Sequence, residues 1–286
     1  MSSSSRTIAE PISLGGVTLF TAQPARCDIR PGNAGIRFTR VDDPTRPSVS
    51  ATINHVRPRA LHPAFETISA RYTTIATDAT SISTVEHLLA ALAGFGITDA
   101  DIELDADEPP IFDGSAVSWT QMLAAAGTKE LGTVDPIVVR EAIDVGGIRI
   151  EPREEPGTAY RYELDYGTHP ALGQQTAEIV LDGSTNAVRA FASEIAPART
   201  FGLAQDVEAM RGLGLFGHLS AEQMLVLGPF GPIDNAFRYD NEPARHKLLD
   251  LIGDLSLVGR PIQASITGRK TGHADNHAAA RTIAQL

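Results

Sequence analysis

Three things are scarce in this 286-residue sequence: cysteine, positive charge and long apolar runs. Cys27 is the single cysteine, so a disulfide framework within the chain is excluded and a reducing compartment is expected. The net charge of −11 gives no basic footprint for nucleic acid, while a local cationic site for a phosphate-bearing small molecule stays compatible with it. No run approaches the roughly 18 apolar residues of a transmembrane helix, and no apolar signal sequence follows Met1. We therefore predict a soluble, cytoplasmic protein with no nucleic-acid partner.

What the sequence does have is a globular composition, with 42% hydrophobic and 21% charged residues over a length that suits two domains. The segment 127–135 is typical of a linker, and the pattern of strands and helices restarts after it. We predict a first domain over 1–126 and a second over 136–286. Strands of the second domain are expected near 137–150, 159–166, 177–181 and 186–192.

A leucine-rich helix is predicted in each half of the chain. Ser83 and Glu86 fit a capping box at the start of the first helix, with Ser83 as the N-cap. Residues 87–94 align with residues 246–253 through a histidine, two leucines and a glycine, and a strand and a further helix follow each of them. This pattern predicts an α+β fold of two similar domains from a duplicated unit, each a β-sheet with two helices.

Histidine and aspartate lie one helical turn apart in the second helix. His246, Asp250 and Asp254 are spaced i, i+4 and i+8, which forms one polar stripe among leucines. Packing the two halves together would bring His87 to this stripe. Two imidazoles and a carboxylate leave the fourth tetrahedral position open, as in catalytic zinc sites. We therefore predict a metal site of His87, His246 and Asp250, although each histidine alone is also compatible with a hydrogen-bonded structural role.

Candidate acid and base residues adjoin this metal site. Glu86 precedes His87 and could act as a general base, but a capping-box glutamate needs no chemistry, and the spacing favours neither interpretation. His273 follows a glycine at the start of the last helix, where an imidazolium could stabilise an oxyanion or protonate a leaving amine. Asp254 could orient this imidazole and keep it charged, or could be a solvated surface charge.

Two further residues have weaker signals. Lys247, beside His246, could reach an anionic group of a substrate, and Thr200 could donate a hydrogen bond to an oxyanion. Both are ordinary residue types, and an ordinary structural role fits them at least as well. The remaining histidines are interpreted as structural or exposed: His55, His62, His169, His218 and His277.

Five segments of the chain carry recognisable motifs. They are S-T-V-E-H-L-L-A-A-L at 83–92, P-I-F-D-G-S-A at 110–116, P-A-R-T-F-G at 197–202, R-H-K-L-L-D-L-I-G-D at 245–254 and T-G-H-A-D-N at 271–276. In sequence and order they resemble the UDP-3-O-acyl-N-acetylglucosamine deacetylases, the LpxC family of lipid A biosynthesis. The resemblance covers most of the chain and is highly specific.

The resemblance implies helices sandwiched between two outer sheets, with an insertion in each domain at about 56–80 and 203–228. It implies zinc-dependent hydrolysis of the N-acetyl amide of a UDP-sugar that carries an acyl chain, met in proximity to a membrane surface or drawn into a groove. The implied roles are as follows: Zn²⁺ ligands, His87, His246 and Asp250; general base, Glu86; general acid, His273, with Asp254 as its partner; oxyanion contact, Thr200; phosphate-region contact, Lys247; sugar contact, Phe201.

Two segments depart from the family pattern. The usual G-x-G-L-H-S-G reads G-V-T-L-F-T-A at 16–22, so that Phe20 replaces the histidine. The usual G-S-L-D-N-A late in the second insertion is matched to G-H-L-S-A-E-Q at 217–223. These departures keep two alternatives open: a zinc deacylase acting on another N-acyl amino sugar or sugar nucleotide, and a non-catalytic sugar-nucleotide binder.

Overall fold

A computed structural model of the chain describes residues 3–63 and 71–286. It is a mixed α+β structure, as the sequence predicts. The first half contains strands β1 Ser3–Ile8, β2 Ile12–Val17, β3 Pro24–Pro31, β4 Ile36–Arg40, β5 Ser48–Ser50, β6 Thr74–Ala76, β7 Ser81–Ser83 and β8 Ala100–Leu104, with helices α1 Glu86–Gly94 and α2 Val117–Ala126.

The second half follows strand β9 Thr128–Val134. Its further strands are β10 Ile137–Val138, β11 Ile143–Val145, β12 Ile148–Glu151, β13 Thr158–Asp165, β14 Gln174–Leu181, β15 Phe201–Leu203, β16 Leu225–Gly228, β17 Gly231–Pro232 and β18 Ile262–Arg269. Its helices are α3 Thr185–Ala190, α4 Ala204–Gly212, α5 Glu242–Ser256 and α6 His273–Ile283.

The two large sheets repeat one topology. The strand order is β2-β3-β8-β4-β5 in the first sheet and β11-β12-β18-β13-β14 in the second. In both, the central strand is antiparallel to its neighbour on one side and parallel to its neighbour on the other. One helix precedes that central strand and one follows it, namely α1 and α2 around β8 and α5 and α6 around β18. The repeated topology supports the predicted duplication, which stays a prediction.

The core is continuous across both sheets and the helices between them. A single apolar cluster includes Phe38 and Ile102 from the first sheet, Ile150 and Ile266 from the second, and the leucines of α1 and α5. Helices α1 and α5 pack directly on one another. A methyl group at Gly253 would collide with the carbonyl oxygen of Glu86, so this glycine allows the two helices to approach closely. The start of α1 is thereby held against the last turn of α5.

The predicted capping box at the start of α1 is wrong. Ser83 ends strand β7, and its hydroxyl contacts the hydroxyl of Thr74 at 2.8 Å instead of capping a helix. The chain turns at Thr84, whose φ of 59° is left-handed, and α1 begins at Glu86 without a side-chain cap. The Glu86 carboxylate is consequently not used for helix capping.

The strand predicted near 186–192 is also wrong. Residues Thr185–Ala190 form helix α3, and a π-helical turn continues over Phe191–Ile195. The hydroxyl of Ser184 accepts a hydrogen bond from the backbone N–H of Ala187 and caps the helix. Phe191 therefore does not lie on one face of a sheet, and its ring packs against Gly94 of α1.

The proposed linker and insertion contain regular structure. Residues 127–135 include β9, which pairs antiparallel with β1 at the start of the chain. The segment 203–228 contains α4 and β16, and β16 joins β15 and β17 in a small sheet. The insertion expected at about 56–80 lies partly outside the described residues, and the domain boundaries stay a prediction. Among the described residues, no helix has the length and apolarity to cross a membrane.

Candidate metal centre and acid–base site

The three predicted metal ligands meet at the contact between α1 and α5. His87, His246 and Asp250 are buried, and one ligand atom from each lies within 4.8 Å of the others. Asp250 Oδ1 is 3.5 Å from His87 Nε2 and 3.5 Å from His246 Nε2. Ligand atoms about 2.0–2.1 Å from a tetrahedral zinc ion are about 3.4 Å apart. The spacing and the donor types therefore fit a metal ion of this size.

The orientation of His246 is set by its second ring nitrogen. His246 Nδ1 is 3.1 Å from the carbonyl oxygen of Ala198, which can only accept, so Nδ1 carries the proton and Nε2 faces the cluster as a lone pair. Burial lowers the pKa of His246 to about 3 and outweighs the attraction of Asp250. The imidazole is thus held in the neutral form that binds metals.

Lys247 does not extend freely towards solvent. Its ammonium group donates a 2.7 Å hydrogen bond to Asp250 Oδ2, the oxygen that does not face the histidines. Burial would lower the pKa of Lys247, but Asp250 outweighs burial and the pKa is raised. For Asp250, burial is likewise outweighed by Lys247 and His246, and its pKa lies well below the ordinary value. The pair keeps Asp250 ionised beside the two imidazoles.

Glu86 lies next to this cluster in a buried position. Its Oε2 accepts a 3.1 Å hydrogen bond from the backbone N–H of Thr73, and its Oε1 lies 4.0 Å from His273 Nε2. Burial raises the pKa of Glu86 above its ordinary value. A carboxylate with a raised pKa, adjacent to a candidate metal site, has the properties of a general base.

His273 and Asp254 form a tight pair on the other side of Glu86. His273 Nδ1 donates to Asp254 Oδ2 at 2.8 Å, and Asn276 Nδ2 donates to the same oxygen at 2.8 Å. Burial would lower the pKa of His273, but Asp254 outweighs it and raises the pKa to about 9. The predicted pairing of these two side chains is therefore present, and it keeps the imidazole protonated at neutral pH.

Two residues of this site were given no site role from the sequence, Thr73 and His277, whereas Asn276 belongs to the motif at 271–276. Thr73 has no local signal, because it lies in a threonine-rich stretch without periodicity. His277, interpreted above as structural or exposed, is buried, and its Nε2 is 2.9 Å from the Thr73 hydroxyl. Its i+4 spacing from His273 on α6 is the signal that could have identified it.

Phe201 begins strand β15 beside His246, and Thr200 immediately precedes this strand. Thr200 N donates to the carbonyl oxygen of Gly114 at 2.7 Å, which joins two of the five sequence motifs. The Phe201 ring centroid is 6.3 Å from that of His246, edge to face. A buried ion pair between Arg199 and Glu242, at 2.8 Å, ties this strand to the first turn of α5.

Both segments that depart from the family pattern contribute to one buried apolar cluster, through Phe20 and Leu219. The second departure, at 217–223, stays a prediction. Phe20, in the first departure, packs within a buried apolar cluster, with ring centroids 4.8 Å from Tyr72 and 5.4 Å from Phe216.

Comparison with known proteins gives one consistent result. The family model "LpxC: UDP-3-O-acyl N-acetylglycosamine deacetylase" matches residues 5–285. A protein of Nostoc sp. named UDP-3-O-acyl-N-acetylglucosamine deacetylase is 37% identical over 278 residues, which are 93% of each chain. A protein of the same name from Myxococcus xanthus is 34% identical over 284 residues, which are 97% of this chain and 85% of the relative. Similarity therefore extends over nearly the full length described.

Proposed function

Because this chain belongs to the LpxC family of UDP-3-O-acyl N-acetylglycosamine deacetylases, we infer that it hydrolyses the N-acetyl amide of UDP-3-O-acyl-N-acetylglucosamine in lipid A biosynthesis. The products are acetate and the free amine of the glucosamine. The observation that carries this inference is the buried cluster of His87, His246 and Asp250 with Glu86 and His273 beside it. That set contains the parts a metal-dependent amidohydrolase needs.

We propose Zn²⁺ as the ion bound by His87, His246 and Asp250. The support is the combination of two imidazoles and one carboxylate, with Asp250 at 3.5 Å from each imidazole, which is a ligand set that zinc favours. When bound, Zn²⁺ supplies Lewis acidity towards the amide carbonyl and makes water more acidic. Lys247 holds Asp250 ionised for this purpose.

We assign proton transfer to Glu86 and His273. Glu86 takes a proton from the water that attacks the acetyl carbon, and His273 gives its Nε2 proton to the amide nitrogen as the carbon–nitrogen bond breaks. Asp254 keeps His273 protonated before this step. The hydroxyl group of water ends in acetate, and the proton held by Glu86 passes to His273 Nε2, 4.0 Å away, which restores both groups.

We assign substrate contacts to three residues near the cluster. Thr200 is proposed to donate a hydrogen bond to the oxyanion, and Phe201, whose ring stands beside His246, to pack against the sugar. Lys247 is proposed to contact the phosphate region of UDP. Its side chain is 24% exposed, so an anionic group can approach the ammonium group while this stays bonded to Asp250.

We also propose that the protein works in the cytoplasm, close to a membrane surface that holds acylated substrate. The free, buried Cys27 is compatible with a reducing compartment.

At the turn between β16 and β17, the side chain of Phe230 is 94% exposed. An apolar side chain so exposed can enter the headgroup region of a bilayer. Sedimentation with zwitterionic phosphatidylcholine vesicles should show weak binding that Phe230→Ser reduces. Equal binding of both proteins would contradict membrane contact through this turn.

A combined metal and activity assay tests the proposed function. The purified protein should contain Zn²⁺ and release acetate from UDP-3-O-acyl-N-acetylglucosamine, and chelation should abolish the release. Release from a different N-acyl sugar, with none from this one, would instead support the alternative substrate that the Phe20 departure suggests. Absence of metal and of hydrolysis on every such sugar would leave a sugar-nucleotide binder.

Substitutions at the acid and base test the assigned roles. Glu86→Gln and His273→Ala should each lower turnover by roughly 10²–10⁴ while zinc stays bound. The matched control is His55→Ala, because His55 lies outside the site and contacts Thr52 at 2.8 Å. Loss of zinc in Glu86→Gln or His273→Ala would show that the ligands are assigned incorrectly.

A further inference from the structure

Asp254 is held through both of its oxygens. Oδ2 accepts from His273 and Asn276, each at 2.8 Å, whereas Oδ1 contacts the hydroxyl of Thr73. His277 Nε2 lies 2.9 Å from the same Thr73 hydroxyl and 3.4 Å from Asp254 Oδ1. The proposed mechanism uses neither Thr73 nor His277, although both are buried beside its acid.

The charge of Asp254 fixes the direction of the hydrogen bonds at the Thr73 hydroxyl, whose oxygen also lies 3.3 Å from His273 Nδ1. Ionised Asp254 has no proton to donate, so the Thr73 hydroxyl donates to it. That hydroxyl has a single hydrogen, so towards His277 it can act only as an acceptor. His277 Nε2 therefore carries a proton and donates it to Thr73.

The chain of hydrogen bonds crosses three separate elements. Thr73 immediately precedes β6, Asp254 is on α5, and His277 is one turn along α6 from His273. The backbone N–H of Thr73 also binds Glu86 at 3.1 Å. One residue thus contacts the base directly and the acid's carboxylate partner through its hydroxyl.

We propose that Thr73 and His277 are positioning residues that fix the Asp254 carboxylate against His273, through the sequence His277 Nε2–H to Thr73 Oγ1–H to Asp254 Oδ1. The proposal rests on the assigned acid role of His273. With Oδ1 bound, the carboxylate cannot rotate about its axis, and Oδ2 stays aligned with His273 Nδ1. Without the Thr73 hydroxyl, Oδ1 can turn towards His277 and the alignment is lost.

Four variants at the two positions, with one control, test this. Thr73→Val removes the hydroxyl at nearly constant volume, whereas Thr73→Ser keeps it. His277→Leu removes the donor, whereas His277→Gln places an amide N–H at a similar reach. The control is Thr74→Val, which removes a buried hydroxyl from the adjacent residue that contacts Ser83 at 2.8 Å and not Asp254.

The kinetic expectation is a loss of turnover that the conservative variants rescue. Thr73→Val and His277→Leu should lower kcat by on the order of 10-fold to 100-fold, because the acid is misaligned, with KM within about two-fold.

The ionisable groups facing His273 are Asp254 at 2.8 Å, Glu86 at 4.0 Å, the more distant Asp250, and His277 with its ring centroid at 6.3 Å. Since weaker contact with Asp254 makes His273 easier to deprotonate, the basic limb of the pH profile should move to lower pH. Thr73→Ser, His277→Gln and Thr74→Val should retain the wild-type profile.

Nitrogen-15 NMR of the histidine rings measures their protonation and so tests the hydrogen-bond network independently of turnover. His277 should show a protonated Nε2 in the wild type, and His273 should titrate at lower pH in Thr73→Val than in the wild type. A His277 ring protonated only on Nδ1, or an unmoved titration of His273 in both Thr73→Val and His277→Leu, would overturn the proposal. A wild-type protein without deacetylase activity would instead refute the proposed function, and the NMR result would still decide the positioning.

Discussion

Two aspartates one turn apart on α5 have different chemistry because of what surrounds them. Asp250 faces two imidazoles and Lys247, so its carboxylate is placed to share a metal ion. Asp254 faces His273, Asn276 and Thr73, and both of its carboxylate oxygens are bound by hydrogen bonds from them. Residue type and helical spacing are the same for both. The proposed division between metal binding and proton donation therefore comes from neighbouring elements and not from the helix.

The raised pKa of His273 links its charge to the stability of the fold. A pKa raised to about 9 means that the folded protein binds this proton more tightly than the unfolded chain does. The resulting stabilisation is fully present below the unfolded pKa of about 6.5 and is lost as pH rises through about 9. The expected loss, on the order of 3 kcal/mol, can be measured by urea unfolding from pH 6 to pH 10.

His273→Gln is the reference for this measurement, because it removes the titrating group but keeps a polar side chain. The difference in unfolding free energy between wild type and variant should shrink as pH rises through about 9. A difference that is constant from pH 6 to pH 10 would show that Asp254 does not hold the proton on His273.

At the scale of elements, the contact between α1 and α5 sets the site. His87 comes from the first helix, and His246 and Asp250 come from the second, so a small change in helix separation moves the ligands apart. Gly253 lies where the backbones are closest. The three atoms nearest to a methyl group placed there all belong to Glu86 and to none of the metal ligands. The glycine is nevertheless a condition for the ligand geometry, because it sets the distance between the helices.

Gly253→Ala should consequently disturb both stability and metal binding. The added methyl group meets the carbonyl oxygen of Glu86 and lies 2.9 Å from its carbonyl carbon, so the helices must separate. Overpacking of this kind costs about 1–3 kcal/mol, and the zinc affinity should fall with it. Thermal unfolding and metal titration measure the two effects.

The control for this prediction is Gly212→Ala in α4, where a methyl group would meet nothing within 4 Å. That substitution should leave stability unchanged or raise it slightly, because alanine favours the helix. If Gly253→Ala is as stable as Gly212→Ala and binds zinc normally, then α1 and α5 tolerate separation and the close approach has no role in the site.

At the scale of the whole molecule, the candidate metal site joins the two halves of the chain. One ligand follows β7 in the first half, and two lie on α5 in the second. A metal ion that binds only the folded state stabilises it by mass action. Bound zinc should therefore hold the helices of both halves in contact as well as serving the reaction.

Metal removal should accordingly lower the thermal stability of the protein. At a free zinc concentration of about 100 times Kd, binding adds about 2.7 kcal/mol to the free energy of unfolding. Calorimetry with zinc and with a chelator should show a higher Tm in zinc for the wild type. His87→Ala removes one ligand, and its Tm should respond little to zinc. An equal response of both proteins would place the stabilising ion elsewhere.

Much of the site could be predicted from the sequence because its parts are local in the chain. The i, i+4 spacing of His246 and Asp250 on an apolar helix indicates both the helix face and its chemistry. The segment at 87–94 aligns with 246–253 through a histidine, two leucines and a glycine. The α+β class follows from the alternation of strands and helices. The start of α1 could not be predicted in this way, since the capping pattern at Ser83 competes with a strand pairing that the local sequence does not encode.

The sequence by itself determined which residue types could hold a metal and move protons, because these depend on side-chain chemistry and helical spacing. The tertiary structure alone decided how they are coupled. Thr73 and His277 are 204 positions apart, yet their side chains are in contact, and Lys247 is turned towards Asp250 rather than outwards. Contacts of this kind arise when distant segments pack together, and burial then sets the pKa of each group. No local pattern in a chain carries that information.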